Sequence, residues 1–276
     1  MGMKRPLICV VMIIVTMSGC FDLDSSLFNQ KKLSSYSLST DIIPESQRSQ
    51  VVLTVQEKKV YGYFIASSVA GEKNVVLYNH GNRDHLQFYW DRAEHFYAMG
   101  FNVFIYDYEG YGMSEGEPTE AAIYADATAA YEYLRTVRGF SDGQITVYGF
   151  SLGGAPSTYL AANVFTPHRL ILEAPFASAT ALTQSGTLLD LPGTFVMEGT
   201  YDNAERIRVN TAPLLILHGT DDTFIDLEKN GKVIYNNAND PKSFIAVKGA
   251  GHSTIPTTMG VDLYRQTVKD FILLPQ

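Results

Sequence analysis

Along most of this 276-residue chain, short apolar blocks alternate with polar stretches, and the blocks change character in a readable order. Val51 to Val55 and Val60 to Ile65 are β-branched and aromatic runs on either side of Gln56-Glu57-Lys58-Lys59, which predicts a hairpin. Further on, four-residue apolar blocks at Val75 to Tyr78, Val103 to Tyr106 and Ile145 to Tyr148 are separated by helical stretches near Asp84 to Met99 and Glu120 to Val137. A helix after Gly153, a strand at Leu170 to Leu172 and a strand at Leu214 to Leu217 follow. A helix near Leu227 to Asn236, a strand at Phe244 to Val247 and a helix near Leu263 to Leu273 complete the pattern. An antiparallel hairpin followed by strand–helix alternation predicts an α/β domain over residues 51–276, with a mostly parallel sheet covered on both faces. Residues 176–208 break the alternation. A stretch that long without a strand predicts a small cap inserted between two core strands, because structureless loops of this size are rare in compact domains.

The first fifty residues follow different rules. Lys4 and Arg5 precede the uncharged run Leu7 to Met17, and Ser18-Gly19 supply small residues before Cys20, the layout of an export signal over residues 1–19. Eleven residues at 1.5 Å each cover about 17 Å, short of the roughly 30 Å hydrocarbon core, so a permanent spanning helix is disfavoured. Met17-Ser18-Gly19-Cys20 resembles a bacterial lipobox, which implies lipidation of Cys20 as the first mature residue. Cleavage there also removes Cys9, so that Cys20 is the one cysteine left and no intramolecular disulfide can form. Residues 20–50 carry eight serines and no sustained apolar period, and are expected to be a flexible tether. The residue after the cysteine is Phe21 rather than an aspartate, which by resemblance to enteric lipoproteins implies the outer membrane, with the domain facing the periplasm.

Charge narrows the partners. Lys plus Arg number 21 against 29 Asp plus Glu, a net charge of −8, and removal of Lys4 and Arg5 with the signal makes the remainder more acidic still. A phosphate backbone needs a basic face, so nucleic acid is excluded as a partner.

The candidate chemistry centres on Gly149-Phe150-Ser151-Leu152-Gly153-Gly154, which joins a predicted strand to a predicted helix. A serine on such a turn takes a strained conformation with backbone passing close by, so small residues are needed two before and two after it. Serine is a poor nucleophile without a base and a group to orient that base. Of six histidines, His168, His218 and His252 lie downstream, and His252 alone sits in a glycine-rich loop, Gly249-Ala250-Gly251-His252, directly after a predicted strand. His252 is the expected base. His168 and His218 are expected to be structural. The loop after Leu214 to Leu217 offers Asp221, Asp222 and Asp226 as the acid.

These segments resemble the α/β-hydrolase superfamily, in particular its small-cap serine hydrolases, which include depalmitoylase-like and peptidase-like acyl hydrolases. The family's His-Gly-x-x-Asp segment falls on His218-Gly219-Thr220-Asp221-Asp222 and implies Asp222 as the acid, with Asp221 as runner-up. Its His-Gly-Asn turn falls on His80-Gly81-Asn82 and implies that the backbone N–H groups of Asn82 and Leu152 form an oxyanion hole. Arg83-Asp84 depart from the small pair common at that point. The family's Asp-x-x-Gly-x-Gly-x-Ser loop falls on Asp107 to Ser114, read here as structural. A metal or glycosidase site built on Asp107 and Glu109 lacks the second cluster it would require.

The combined expectation is a serine hydrolase of the α/β-hydrolase fold, acting on a small acyl ester, thioester or peptide amide without metal or organic cofactor, and meeting the membrane through its lipid anchor. The alternative is a non-catalytic envelope lipoprotein that retains the fold as a binding module, whose signature would be a broken triad. Leu182, Leu188, Leu189, Phe195 and Met197 suit an apolar cap wall, and core packing accounts for them equally well.

Overall fold

The computed structural model describes residues 27–183 and 199–275. The strands in chain order are β1 (Asn29–Gln30), β2 (Arg48–Val55), β3 (Lys58–Ile65), β4 (Val75–Asn79) and β5 (Arg83–Asp84), then β6 (Asn102–Tyr106), β7 (Ile145–Phe150), β8 (Arg169–Glu173), β9 (Leu214–Gly219) and β10 (Lys242–Val247). The helices are α1 (Trp90–Ala98), α2 (Glu120–Glu132), α3 (Gly154–Asn163), α4 (Ala179–Thr183), α5 (Asn203–Arg206), α6 (Gly231–Asn237), α7 (Ile255–Met259) and α8 (Val261–Leu273). Of the expected cap, α4, α5 and Leu182 are described, and Leu182 is buried. Leu188, Leu189, Phe195 and Met197 lie outside the described residues, as does the whole signal with Cys20 and Phe21.

One sheet of eight strands runs in the order β10-β9-β8-β7-β4-β6-β3-β2. The β2–β3 and β3–β6 pairs are antiparallel and every other neighbour is parallel, as the hairpin and the alternation predict. The hairpin turn is tighter than its four polar residues suggest: Val55 already pairs with Lys58, and Gln56 and Glu57 both take positive φ, which suits a two-residue turn between twisted strands. Central strands bury both faces. Val75, Leu77, Ile145, Val147, Leu170 and Leu172 pack into one apolar cluster with α2 and α3, while Val76, Tyr78, Tyr148 and Ile171 pack into the other with α1 and α8. This explains why these strands read as continuous apolar blocks rather than as alternating ones.

Residues 27–50 correct the expectation of a free tether. Leu27 and Phe28 are buried among Tyr111, Ile123 and Tyr201, and Ile43 is fully buried in the opposite cluster. Strand β1 pairs in parallel with β5, and Leu33 and Gly112 exchange backbone bonds with this segment through Leu33 N–H to Gly112 O and Gly112 N–H to Lys31 O. The cause is a handful of apolar and aromatic side chains spaced too widely to give a period. Leu27, Phe28 and Ile43 find slots in the domain, while Ile42 and most of the polar residues between them stay in water.

Replacing Phe28, which meets the Tyr111 and Tyr201 rings edge-on at 6.5 Å, with alanine is therefore expected to cost about 3 kcal/mol. Urea unfolding would read this as a lower midpoint with an unchanged slope. A midpoint equal to wild type would mean that the segment is a free tether after all.

Candidate functional site

The loops that matter leave the carboxyl ends of β4, β7, β9 and β10, where open α/β sheets place their ligand crevices. Ser151 follows β7 directly and takes φ +52°, a left-handed conformation that an L-residue adopts only when its surroundings enforce it. The glycines around it show what enforces it. A Cβ on Gly153 would lie 1.9 Å from the Asn79 carbonyl oxygen, and one on Gly149 would lie 2.4 Å from the Gly153 carbonyl oxygen. Ser157 closes the turn by donating to Gly153 O at 2.6 Å and accepting from Asn79 Nδ2 at 2.8 Å.

His252 comes from the loop after β10. Its Nε2 lies 2.9 Å from Ser151 Oγ and its Nδ1 lies 2.8 Å from Asp222 Oδ2. A carboxylate accepts only, so Nδ1 carries the hydrogen and Nε2 is left to accept from the serine hydroxyl. Asp222 is fixed in turn: its Oδ1 accepts the N–H groups of Phe224 and Ile225 at 2.9 and 2.8 Å. Burial pushes the Asp222 carboxyl up, but hydrogen bonding from His218 and His252, electrostatic attraction to the His252 ring and the Ile225 N–H together outweigh it, holding the group well below the usual carboxylate range.

Asp221, the runner-up, is exposed and its carboxylate accepts from Thr220 Oγ1 at 2.8 Å. Its backbone N–H donates to Ala250 O at 3.0 Å, tying the acid loop to the histidine loop. Asp226 caps the following turn by accepting from Lys229 N–H at 2.8 Å. His168 sits away from the site with its Nε2 2.8 Å from Ile272 O. His218 does touch the site: fully buried, it places Nε2 2.9 Å from Ile225 O and 3.5 Å from Asp222 Oδ2. Leu152, next to the serine, is buried, and Asn82 lines the cleft above Ser151. That cleft has a volume of about 380 Å³, and Tyr89, Phe150 and Phe224 give it aromatic walls. Arg83 and the half-exposed Phe88 form its rim, the guanidinium 4.7 Å from the ring. Asp107 and Ser114 hydrogen-bond backbone, through Asp107 Oδ1 to Leu86 N–H and Ser114 Oγ to Asp107 O.

Sequence reasoning missed a second buried constellation beneath the first. Arg92 on α1 is 6% exposed and donates from Nη1 to both Glu173 oxygens at 2.9 and 3.0 Å, and from Nη2 to the carbonyl of Ser253 at 3.0 Å. Glu173 also accepts from Tyr148 OH, which lies 2.8 Å from Tyr264 OH. Burial alone would lower the Arg92 guanidinium; the Glu173 charge more than offsets it and keeps the cation charged. The pair thus fastens the residue after His252 to the ends of β7 and β8. A glutamate closing the apolar run Leu170-Ile171-Leu172 was the signal available, while nothing in Trp90-Asp91-Arg92 marks the arginine as its partner.

Comparison with known proteins gives consistent results. A family model described as serine aminopeptidase, S33, matches residues 70–189. Alpha/beta hydrolase domain-containing protein 17B of Homo sapiens is 33% identical over 205 residues, covering 72% of this chain and 66% of that protein. The Caenorhabditis elegans protein aho-3 is 35% identical over 184 residues, covering 65% of this chain and 52% of that protein. The chain spans just under two thirds of the human protein and about half of the nematode one. Among solved structures, an esterase of Pyrococcus furiosus superposes with a TM-score of 0.72 at 19% identity, covering 89% of this chain and 96% of that chain. An alpha/beta hydrolase from Vibrio vulnificus gives a TM-score of 0.65 at 19% identity, covering 87% and 96%. Likeness at that identity speaks for the fold.

Arg92→Met would leave Glu173 as a buried carboxylate without its cation, and is expected to cost about 3–5 kcal/mol. The double replacement Arg92→Met with Glu173→Leu should recover much of that loss, because no charge is then stranded. Guanidinium unfolding of both singles and the double closes the cycle; a single Arg92→Met costing under about 1 kcal/mol would show that the pair is not the fastening described here.

Proposed function

Because the chain belongs to the α/β-hydrolase superfamily, we propose that it is a serine hydrolase that cleaves an ester or thioester through an acyl-enzyme on Ser151. The observation that carries this reading is the unbroken run Asp222 Oδ2, His252 Nδ1, His252 Nε2, Ser151 Oγ, at 2.8 and 2.9 Å. A binding module would have no need of it.

In this reading His252 takes the hydroxyl proton as Ser151 Oγ bonds to the substrate carbonyl carbon, and the carbonyl oxygen becomes an oxyanion. The backbone N–H groups of Leu152 and Asn82 donate to that oxyanion, a charge that exists only in the tetrahedral intermediate. His252 then passes its proton to the departing alcohol or thiol, leaving the acyl group on Ser151. A water attacks the acyl carbon, gives its proton to His252 and releases the acid, and the proton returns to Ser151. Asp222 holds the imidazole tautomer throughout and stabilises the imidazolium. Peptide amide cleavage is the second reading, favoured by the serine aminopeptidase description of the matching family model.

Two experiments test the assignment together. A fluorophosphonate probe is expected to label wild type and leave a folded Ser151→Ala variant unlabelled; equal labelling of both would defeat the nucleophile. Asp222→Asn should lower kcat for a nitrophenyl ester by about 10⁴, whereas Asp221→Asn should stay within a few-fold, since its carboxylate does not touch the histidine. The opposite ranking would transfer the role to Asp221.

For location we propose an exported protein carried on the envelope by lipid on Cys20, with the domain on the periplasmic side of the outer membrane. What supports this is Met17-Ser18-Gly19-Cys20 behind a charged start and an apolar run. Each buried methylene of an acyl chain contributes about 0.8 kcal/mol, so several chains on one residue hold a domain on a membrane. Wild type should incorporate a palmitate analogue and fractionate with the outer membrane, while Cys20→Ser should do neither. Unlabelled, soluble wild type would refute lipidation, and labelled protein confined to the inner membrane would refute the sorting alone.

A further inference from the structure

The loop that carries Asn82 is held far more tightly than a glycine-containing turn requires, and the hold comes from two directions. On the inner side, His80 is fully buried and its Nδ1 lies 2.7 Å from the carbonyl oxygen of Gly81. A carbonyl only accepts, so Nδ1 carries the hydrogen. In a planar trans peptide the C=O and N–H point in opposite directions, and holding Gly81 C=O therefore sets the direction of the Asn82 N–H. The imidazole that does this is itself fixed. It stacks on Tyr89 at 5.2 Å and 20° and lies 4.4 Å from the Tyr108 ring, while its Nε2, which makes no hydrogen bond, faces Asp107 Oδ1 at 3.3 Å.

On the outer side stands the N-terminal segment. Asn29 N–H donates to Asn82 O at 3.1 Å, beside the Tyr111 hydroxyl, which donates to the same oxygen at 2.9 Å. The Asn82 side-chain amide donates to Leu27 O at 2.8 Å. Tyr36, from the same segment, reaches inward and donates to Asp107 Oδ2 at 2.5 Å, while Asp107 Oδ1 accepts Leu86 N–H at 2.5 Å. The peptide before Asn82, the carbonyl after it and its side chain are thus each fastened, and residues ahead of the first long strand contribute at every level.

We propose that residues 27–36 form a positioning strap. Through Asn29–Asn82 and Asn82–Leu27, and through Tyr36, whose hydrogen bond holds the Asp107 carboxylate against the His80 ring, the strap aims the Asn82 N–H at the oxyanion of the reaction at Ser151. The inference rests on the acyl-transfer reading given above. It makes Tyr36 and the Asn29 backbone positioning residues that act through other groups, since neither contacts the triad. Releasing the strap therefore turns the donor away while leaving Asp222, His252 and Ser151 in place.

Tyr36→Phe removes one fastening and keeps the ring. Asn29→Pro removes the other, because proline has no N–H to offer Asn82 O, and Asn29 is exposed, so the side chain itself is expendable. Each purified full-length variant is checked for fold by circular dichroism and counted by fluorophosphonate titration, then assayed for kcat and KM on a nitrophenyl ester. Inhibition by a trifluoromethyl ketone carrying the same acyl group is measured in parallel, because its hemiketal needs the oxyanion donors as the transition state does. Per titrated site, kcat/KM is expected to fall about tenfold, and the ketone inhibition constant to rise by the same factor, with KM within about twofold. If one variant fails to fold, the other decides. Values of kcat/KM within about twofold of wild type, or a fall in kcat with ketone affinity kept, would overturn the strap. Wild type that neither hydrolyses the ester nor takes the probe at Ser151 would instead defeat the acyl-transfer reading, an outcome distinct from the first.

Discussion

The contact between the turn after β7 and the end of β4 governs the rest of the site. Gly153 sits so close to the Asn79 carbonyl that any side chain there would overlap it, and the strands beneath are locked in register by Asn79 opposite Gly149. Because the two backbones touch, Ser151 is forced into positive φ with its hydroxyl lifted out of the sheet. The same closeness brings the His80 to Asn82 loop alongside the serine. Asp222 and His252 then need only to arrive from strands farther along the sheet. Their loops lean on each other through Asp221 N–H to Ala250 O and Gly249 N–H to Thr220 Oγ1. The site is therefore less an assembly of four loops than one sterically determined turn with neighbours fitted to it.

How much of this could be read in the chain follows from how local each cause is. The steric demand around Ser151 is met within five residues, so the motif displays it. The strands are fully buried, and the resulting unbroken apolar blocks were legible together with the fold class. His252 could be found because it leaves a strand end in a glycine-rich loop, and Asp222 needed the spacing from His218 to be separated from Asp221. The strap was not legible. Leu27, Phe28, Tyr36 and Ile43 are scattered among serines and lysines, and the slots that receive them are built from residues such as Tyr111, Asp107 and Tyr201 far along the sequence. Arg92 was hidden for the same reason, since its meaning lies in Glu173 and Ser253, 81 and 161 residues away.

The buried charges share one arrangement. Arg92 with Glu173 puts an ion pair directly behind the His252 loop, and His80 with Asp107 puts an imidazole and a carboxylate 3.3 Å apart behind the Asn82 turn. A buried ion pair contributes little net stability, because desolvation consumes most of the attraction. What it supplies is direction: hydrogen-bonded charges tolerate few alternative geometries, and a loop fastened to one has few places to go. Tyrosines carry the same function at lower electrostatic cost, as Tyr108 and Tyr111 do in donating to the carbonyls of His80 and Asn82.

The position of β9 and β10 at the sheet edge has a consequence in time. Residues 27–36, the Asn82 turn and Ser151 all lie within residues 27–164, and the hydrogen bonds that Asn82 makes with Asn29, Tyr111 and Leu27 come from within that stretch, while Tyr201 from the last hundred residues packs against Phe28. A ribosome adding about 5–20 residues per second spends roughly 5–20 s between making Ser151 and making His252. During that interval the chain carries Ser151 without the His252 ring that lies 2.9 Å from it in the finished fold. The run from Asp222 through His252 to Ser151 is therefore completed last, when β9 pairs with β8 and β10 with β9, and a chain interrupted before that point lacks two of its three members.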